Sequence, residues 1–226
     1  MKTSQQFFNK NGYLLIESIL TVEELTAIEQ ELHAINMDGA GSRELLTEDW
    51  CKNLANKLKK HPLLTPILPK EPSTIQCTFF RKSSAKNWLV PLHQDLSIPV
   101  KEHLNETGFT GWSEKQGFLF VQPPSSILEQ IVAVRLHIDD CHQQHGPLKV
   151  VAGTHQAGRI PEKDWITIRD QKDEQECIVN AGGAVIMRPL ILHSSSKAKE
   201  ANGRRVLHFL FVPNKLTKEI PFLFTI

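Results

Sequence analysis

The second two thirds of the chain are built from short apolar runs. They fall at Ile75–Phe80, Gln130–Ile138, Leu148–Ala152, Glu176–Asn180, Ala184–Arg188 and Arg204–Val212. Gly, Pro, Asn or polar clusters bound each run, and each is short for a free-standing helix. A chain of this kind buries its apolar side chains by pairing strands into an antiparallel sandwich or barrel. The first sixty residues read differently. Thr21 and Glu24 make a capping box, in which the hydroxyl and the carboxylate each satisfy an orphan backbone N–H. Val22, Leu25, Ile28, Leu32 and Ile35 follow at helical spacing. A second helix is expected from Thr47 to Lys60, stopping before Pro62. Pro62, Pro66, Pro69 and Pro72 then interrupt regular structure.

With 226 residues, 40% of them hydrophobic, the chain can bury a full core. The expectation is a single domain over 1–226, mainly β with N-terminal helices: a helical part to about residue 72 and a strand-built core from about residue 75. A net charge of +1 provides no global field to recruit nucleic acid or an anionic membrane. No apolar stretch reaches the ~20 residues that span a bilayer, and Met1 to Lys10 lacks the apolar core of a signal peptide. Cys51, Cys77, Cys141 and Cys177 are scattered, which points to reduced thiols and a cytoplasmic setting. Leu96 to Ser126 shows little periodicity although it holds Phe109, Trp112, Phe118 and Phe120. It reads as a long excursion, either a lid over a site or a packed surface loop.

The candidate chemistry lies in segments far apart in sequence. His93-Gln94-Asp95 sits in an extended stretch, where residues two apart share a face, so the imidazole and the carboxylate can meet one ion. His193 ends the apolar run that follows the Gly182-Gly183 turn and precedes a Ser-rich stretch. Each piece alone has a plain structural reading, a surface His–Asp turn or a histidine closing a strand. Together, two histidines and a carboxylate form the facial triad of non-haem Fe(II) oxygenases, with three adjacent coordination positions left open. Arg204 opens the last long strand, and a buried arginine calls for an anionic partner. Alternation lets only one of Arg204 and Arg205 face inward. Two rivals stand beside this reading. His137, Cys141, His142 and His145 could hold zinc, or the fold could bind a small ligand without catalysis.

Over roughly residues 75 to 212 the sequence resembles the phytanoyl-CoA dioxygenase family. The resemblance rests on His93-Gln94-Asp95, on His193 with Arg204, and on the segment His145–His155. That segment reads HGPLKVVAGTH where the family pattern resembles NGPLxVxPGSH. The usual Gly-Asp before the distal strand is Gly182-Gly183 here. The resemblance implies a double-stranded β-helix (jelly-roll) core with helices packed on one sheet. It also implies Fe(II) held by His93, Asp95 and His193, with 2-oxoglutarate as co-substrate. Arg204, rather than Arg205, would grip the distal carboxylate, and Ser195, Thr78 and Gln76 would help hold the co-substrate. Arg135 and His137 would share a face and line the pocket. The implied reaction consumes O2, releases succinate and CO2, and hydroxylates an unactivated C–H bond of a small molecule. Related halogenases replace the carboxylate ligand, so Asp95 favours hydroxylation.

Overall fold

The computed structural model describes residues 2–34, 41–82, 87–199 and 204–226. Its centre is a six-stranded antiparallel sheet, formed by β1 (Tyr13–Ile16), β2 (Gly41–Ser42), β3 (Pro72–Lys82), β8 (Val132–His137), β11 (Ala184–Met187) and β13 (Arg204–Pro213) in the order β1-β11-β8-β13-β3-β2. Facing it are four strands, β4 (Val90–His93), β9 (Leu148–Val151), β10 (Glu174–Cys177) and β12 (Leu192–Ser195), in the order β10-β9-β12-β4. A third sheet pairs β5 (Ile98–Val100), β7 (Phe118–Gln122) and β6 (Thr110–Lys115). Two facing antiparallel sheets with these crossovers make a jelly-roll.

Both faces of the large sheet are covered, which explains why its strands read as nearly continuous apolar runs. Leu136 and Val134 of β8 and Leu207, Phe209 and Phe211 of β13 pack on one side against helices α1 (Lys2–Asn11), α2 (Val22–Ala34) and α3 (Asp49–Lys60). Ala133, Val185, Met187 and Leu210 point the other way, into a core shared with Leu148 and Val150 of the smaller sheet. The capping box is present: Thr21 N–H donates to the Glu24 carboxylate at 3.0 Å, and Glu24 N–H donates to the Thr21 hydroxyl at 3.3 Å. Ile28 and Leu32 are buried as the helical spacing requires, while Val22 is exposed and Ile35 lies outside the described residues. All four cysteines are buried free thiols. Among the described residues no helix is long and apolar enough to cross a membrane.

The structure departs from the sequence reading in two places. Tyr13–Ile16 is not helical but an edge strand paired with β11, because its four apolar residues complete the large sheet. The stretch from Leu96 to Ser126 is not aperiodic coil, for it carries the third sheet. Its hairpin turns at Gln116 and Gly117, with φ of 53° and 78°, the doubly left-handed geometry that two-residue hairpin loops need. Strand β6 is Thr-Gly-Trp-Ser-Glu-Lys, mostly polar, so it shows no apolar period. The sheet is nonetheless anchored, with Ile98, Val100 and Val121 in the central core.

Arg205 shows how the helices are tied to the sheet. It faces away from the smaller sheet, its Nε donating to Asp139 at 2.9 Å and its Nη2 pairing with both Asp139 and Glu29 of α2. Its side chain is 19% exposed, so solvent screening reduces but does not abolish the value of the pair. Arg205→Met is expected to destabilise the protein by about 1–2 kcal/mol in urea unfolding while leaving ligand affinities in the central cavity unchanged. A change in those affinities would mean that Arg205 is coupled to the opposite face.

Candidate metal centre

The smaller sheet positions two histidines by register. Strand β12 pairs antiparallel with β4, and His193 lies directly opposite His93. Their ring centroids are 4.1 Å apart. Asp95 comes from the loop just past β4, not from a continued strand. Its backbone N–H donates to the Pro189 carbonyl at 2.9 Å, and its carboxylate lies 3.4 Å from His93 Nε2 and 3.6 Å from His193 Nε2. The intervening Gln94 is buried and points away. Its amide donates to the carbonyls of Leu190 and Gly158 and accepts from the Ile160 N–H. That anchoring holds the loop so that Asp95 meets the histidines.

Ligand atoms of His93, Asp95 and His193 all lie within 4.8 Å of one another. Both imidazoles have Nδ1 against a backbone carbonyl, His93 to Pro91 at 2.8 Å and His193 to Ile191 at 2.9 Å. A carbonyl only accepts, so each Nδ1 carries a proton and each Nε2 is turned toward Asp95, where it can bind a metal once any proton on it has left. Two oriented imidazoles and one carboxylate suit a divalent transition metal with open positions. Among the described residues this is the one such group of three or more. The zinc alternative is not assembled among the described residues: His142 is exposed and His145 half-buried on a short turn, while Cys141 is buried beside Arg204.

The triad forms part of the wall of a cavity of about 530 Å³, a size that admits a small diacid together with a second small molecule. Gln76, Thr78, Arg135, Ser195 and Arg204 all line it. Gln76 Nε2 donates to the Thr78 hydroxyl at 2.8 Å. His137 does not line the cavity. It shares the inward face of β8 with Arg135, but it lies opposite Val206 and is 2% exposed. Burial, then Arg204 and Arg135, push its pKa down to about 3, so it is a neutral core histidine.

Two participants were absent from the sequence reading. Lys82 is 1% exposed and sits directly across from Arg204 in the β3–β13 pairing. Its ammonium donates to the Ser195 hydroxyl at 3.0 Å and to the Ser196 carbonyl at 2.7 Å. Burial, Arg204 and Arg135 lower its pKa to about 8. Arg204 donates to the Gly146 carbonyl, and its Nε is buried without a partner. Like charges opposite one another across strands are destabilising, and among the described residues neither cation has a carboxylate beside it. The second is His208, with Nδ1 3.1 Å from Arg135 Nη1 and Nε2 4.0 Å from the Asp95 carboxylate. The signal was alternation: Lys82 follows Thr78 by four residues and His208 follows Arg204 by four, which places them on the same strand faces.

The protonation of the triad predicts how a metal would bind. Burial depresses the His93 pKa, but hydrogen bonding and attraction from Asp95 outweigh it, leaving the value raised above 6.5. Burial dominates at His193 and lowers its pKa to about 4. A metal must therefore displace a proton from His93 but not from His193. Affinity of the apoprotein for Co(II), measured by competition, is expected to fall about tenfold per pH unit between about pH 6.5 and 5. Affinity that is flat across that window would show that His93 is not a ligand.

Comparisons with known proteins agree with this geometry. The family model for phytanoyl-CoA dioxygenase (PhyH) matches residues 8–206. No curated protein matches in sequence. Among solved structures, similar folds include the non-haem α-ketoglutarate-dependent epimerase SnoN from nogalamycin biosynthesis (TM-score 0.69, 12% identity, covering 94% of this chain and 82% of that one). HygX from Streptomyces hygroscopicus, solved with nickel and 2-oxoglutarate, has a TM-score of 0.66 at 14% identity, covering 95% and 87%. The carbocyclase SnoK from nogalamycin biosynthesis has a TM-score of 0.61 at 14% identity, covering 98% and 92%.

Proposed function

The chain belongs to the phytanoyl-CoA dioxygenase family, and from that premise we propose that it is an Fe(II)- and 2-oxoglutarate-dependent oxygenase that hydroxylates a C–H bond of a small molecule. The observation that carries the reading is the pairing of two features in one cavity. A His-Asp-His triad has its donor atoms gathered within 4.8 Å, and a buried Arg204–Lys82 cation pair lacks a carboxylate among the described residues. The iron-binding and 2-oxoglutarate-binding relatives of the same fold support it. Retention of Asp95 as third ligand favours hydroxylation over halogenation.

Each residue then has a defined task. His93 and His193 offer Nε2 lone pairs, with their tautomers held by the Pro91 and Ile191 carbonyls. Asp95 supplies the anionic ligand, and Gln94 fixes the loop that carries it. Arg204 and Lys82 would receive the distal carboxylate of 2-oxoglutarate, which would relieve their mutual repulsion, and Thr78, Gln76 and Ser195 would offer it hydrogen bonds. Bound iron, 2-oxoglutarate and O2 supply the oxidising power, with succinate and CO2 released as co-products. The protein contributes orientation and a cavity with restricted access to water.

Anaerobic titration of the apoprotein with Fe(II) and 2-oxoglutarate is expected to produce the visible charge-transfer band of the chelate. His193→Ala and Asp95→Ala should abolish it. Arg204→Ala should keep the band but weaken 2-oxoglutarate binding by about 2–5 kcal/mol, since its partner carboxylate would lose a buried charge pair. Lys82→Met should weaken the same binding. A wild-type protein that binds iron yet gives no band would overturn the assignment.

A further inference from the structure

The cavity carries more positive charge than iron and its co-substrate account for. Its lining includes the cations Arg43, Lys82, Lys115, Arg135 and Arg204 against the carboxylates Asp95 and Glu162. Fe(II) and the 2-oxoglutarate dianion cancel, so a surplus of three positive charges remains when Lys82 is protonated. Arg204 and Lys82 serve the diacid in the reading above. Arg135 is engaged too, bonded to His208 and lying 5.5 Å from the Phe80 ring centroid.

Arg43 and Lys115 have no such employment. Arg43 follows β2 at the edge of the large sheet, and Lys115 ends β6 of the third sheet. The Gln116 amide donates to the Gly41 carbonyl at 3.2 Å, which ties the two segments together. Both cations are half-buried and line the cavity. Lys115 lies 4.8 Å from the Phe120 ring centroid, yet neither side chain, Arg43 or Lys115, has a hydrogen bond or ion pair among the described residues. Burial, then the proximity of Arg43, lower the Lys115 pKa, and the Asp95 carboxylate opposes them. Two neighbouring like charges, partly desolvated and without a counter-ion, cost stability. A ligand that brings a negative charge removes that cost. Phe120, Leu96 and Trp165 add apolar wall to the same cavity for a carbon skeleton.

We propose that Arg43 and Lys115 form an anion-binding end of the substrate pocket, and that the substrate is a small molecule carrying a carboxylate or phosphate group. This rests on the oxygenase reading, which makes the remaining cavity the substrate's. The test uses isothermal titration of protein loaded with Ni(II) and 2-oxoglutarate, which does not turn over. The probes are hexanoate, hexyl phosphate, hexanamide and hexylamine at constant ionic strength. One or both anions should bind, and which of them binds more tightly distinguishes a carboxylate from a phosphate substrate. The amide and the amine should bind at least about tenfold more weakly. Arg43→Gln and Lys115→Gln should each weaken the anion by about tenfold and leave 2-oxoglutarate affinity within about twofold, while Arg43→Lys and Lys115→Arg restore binding. Equal binding of hexanamide, no binding of either anion, or indifference to both Gln variants would overturn the proposal. The charge-transfer titration separates the two readings. Anion binding that depends on Arg43, in a protein that forms no band, would leave this site standing and remove the oxygenase.

Discussion

The antiparallel pairing of β4 with β12 is the constraint from which the rest of the site follows. It sets His93 opposite His193, residues one hundred positions apart in the chain. Once that register is set, a carboxylate need only be delivered from the loop leaving β4, and the Gln94 anchor with the Asp95 N–H to Pro189 does so. A slip of one residue in either strand would turn that strand's imidazole to the opposite face of the sheet, away from its partner. The apolar packing of Val150, Val151 and Leu192 beside the histidines is therefore what maintains the geometry.

The inward face of the large sheet shows the opposite economy. Lys82, Arg135, His137, Arg204 and His208 are gathered where a stable fold would place aliphatic side chains. The histidines accept burial by staying neutral, as the low pKa values of about 3 at His137 and His208 indicate. The guanidinium groups cannot do so, and they remain charged. Concentrated positive charge facing a cavity costs folding free energy, and in the proposed function anionic ligands offset that cost. On the outward face Arg205 finds two carboxylates, Asp139 and Glu29. Adjacent arginines thus have opposite fates because alternation sends them to opposite sides.

Much of this was legible before any coordinates. The capping box at Thr21, the strand-sized apolar runs and the His93, Asp95, His193 and Arg204 set could all be read from spacing and from resemblance. What failed did so for local reasons. Tyr13–Ile16 was too short to announce a strand, and the third sheet was hidden because its polar strand β6 has no apolar period. Lys82 and His208 were detectable by alternation, but nothing in the sequence said that a lysine just past an apolar run, beside Arg81, would be buried.

By itself, the sequence determined which residue types could do chemistry and which strands had to be covered on both faces, because periodicity and side-chain character are properties of neighbours in the chain. Only the tertiary structure decided that Lys82 opposes Arg204, that His137 is closed off from the cavity, and that Arg43 and Lys115 line that one cavity. Those outcomes depend on strand register and sheet-to-sheet contact, where the partners are separated by tens of residues or more and local preference carries no information about who will be opposite whom.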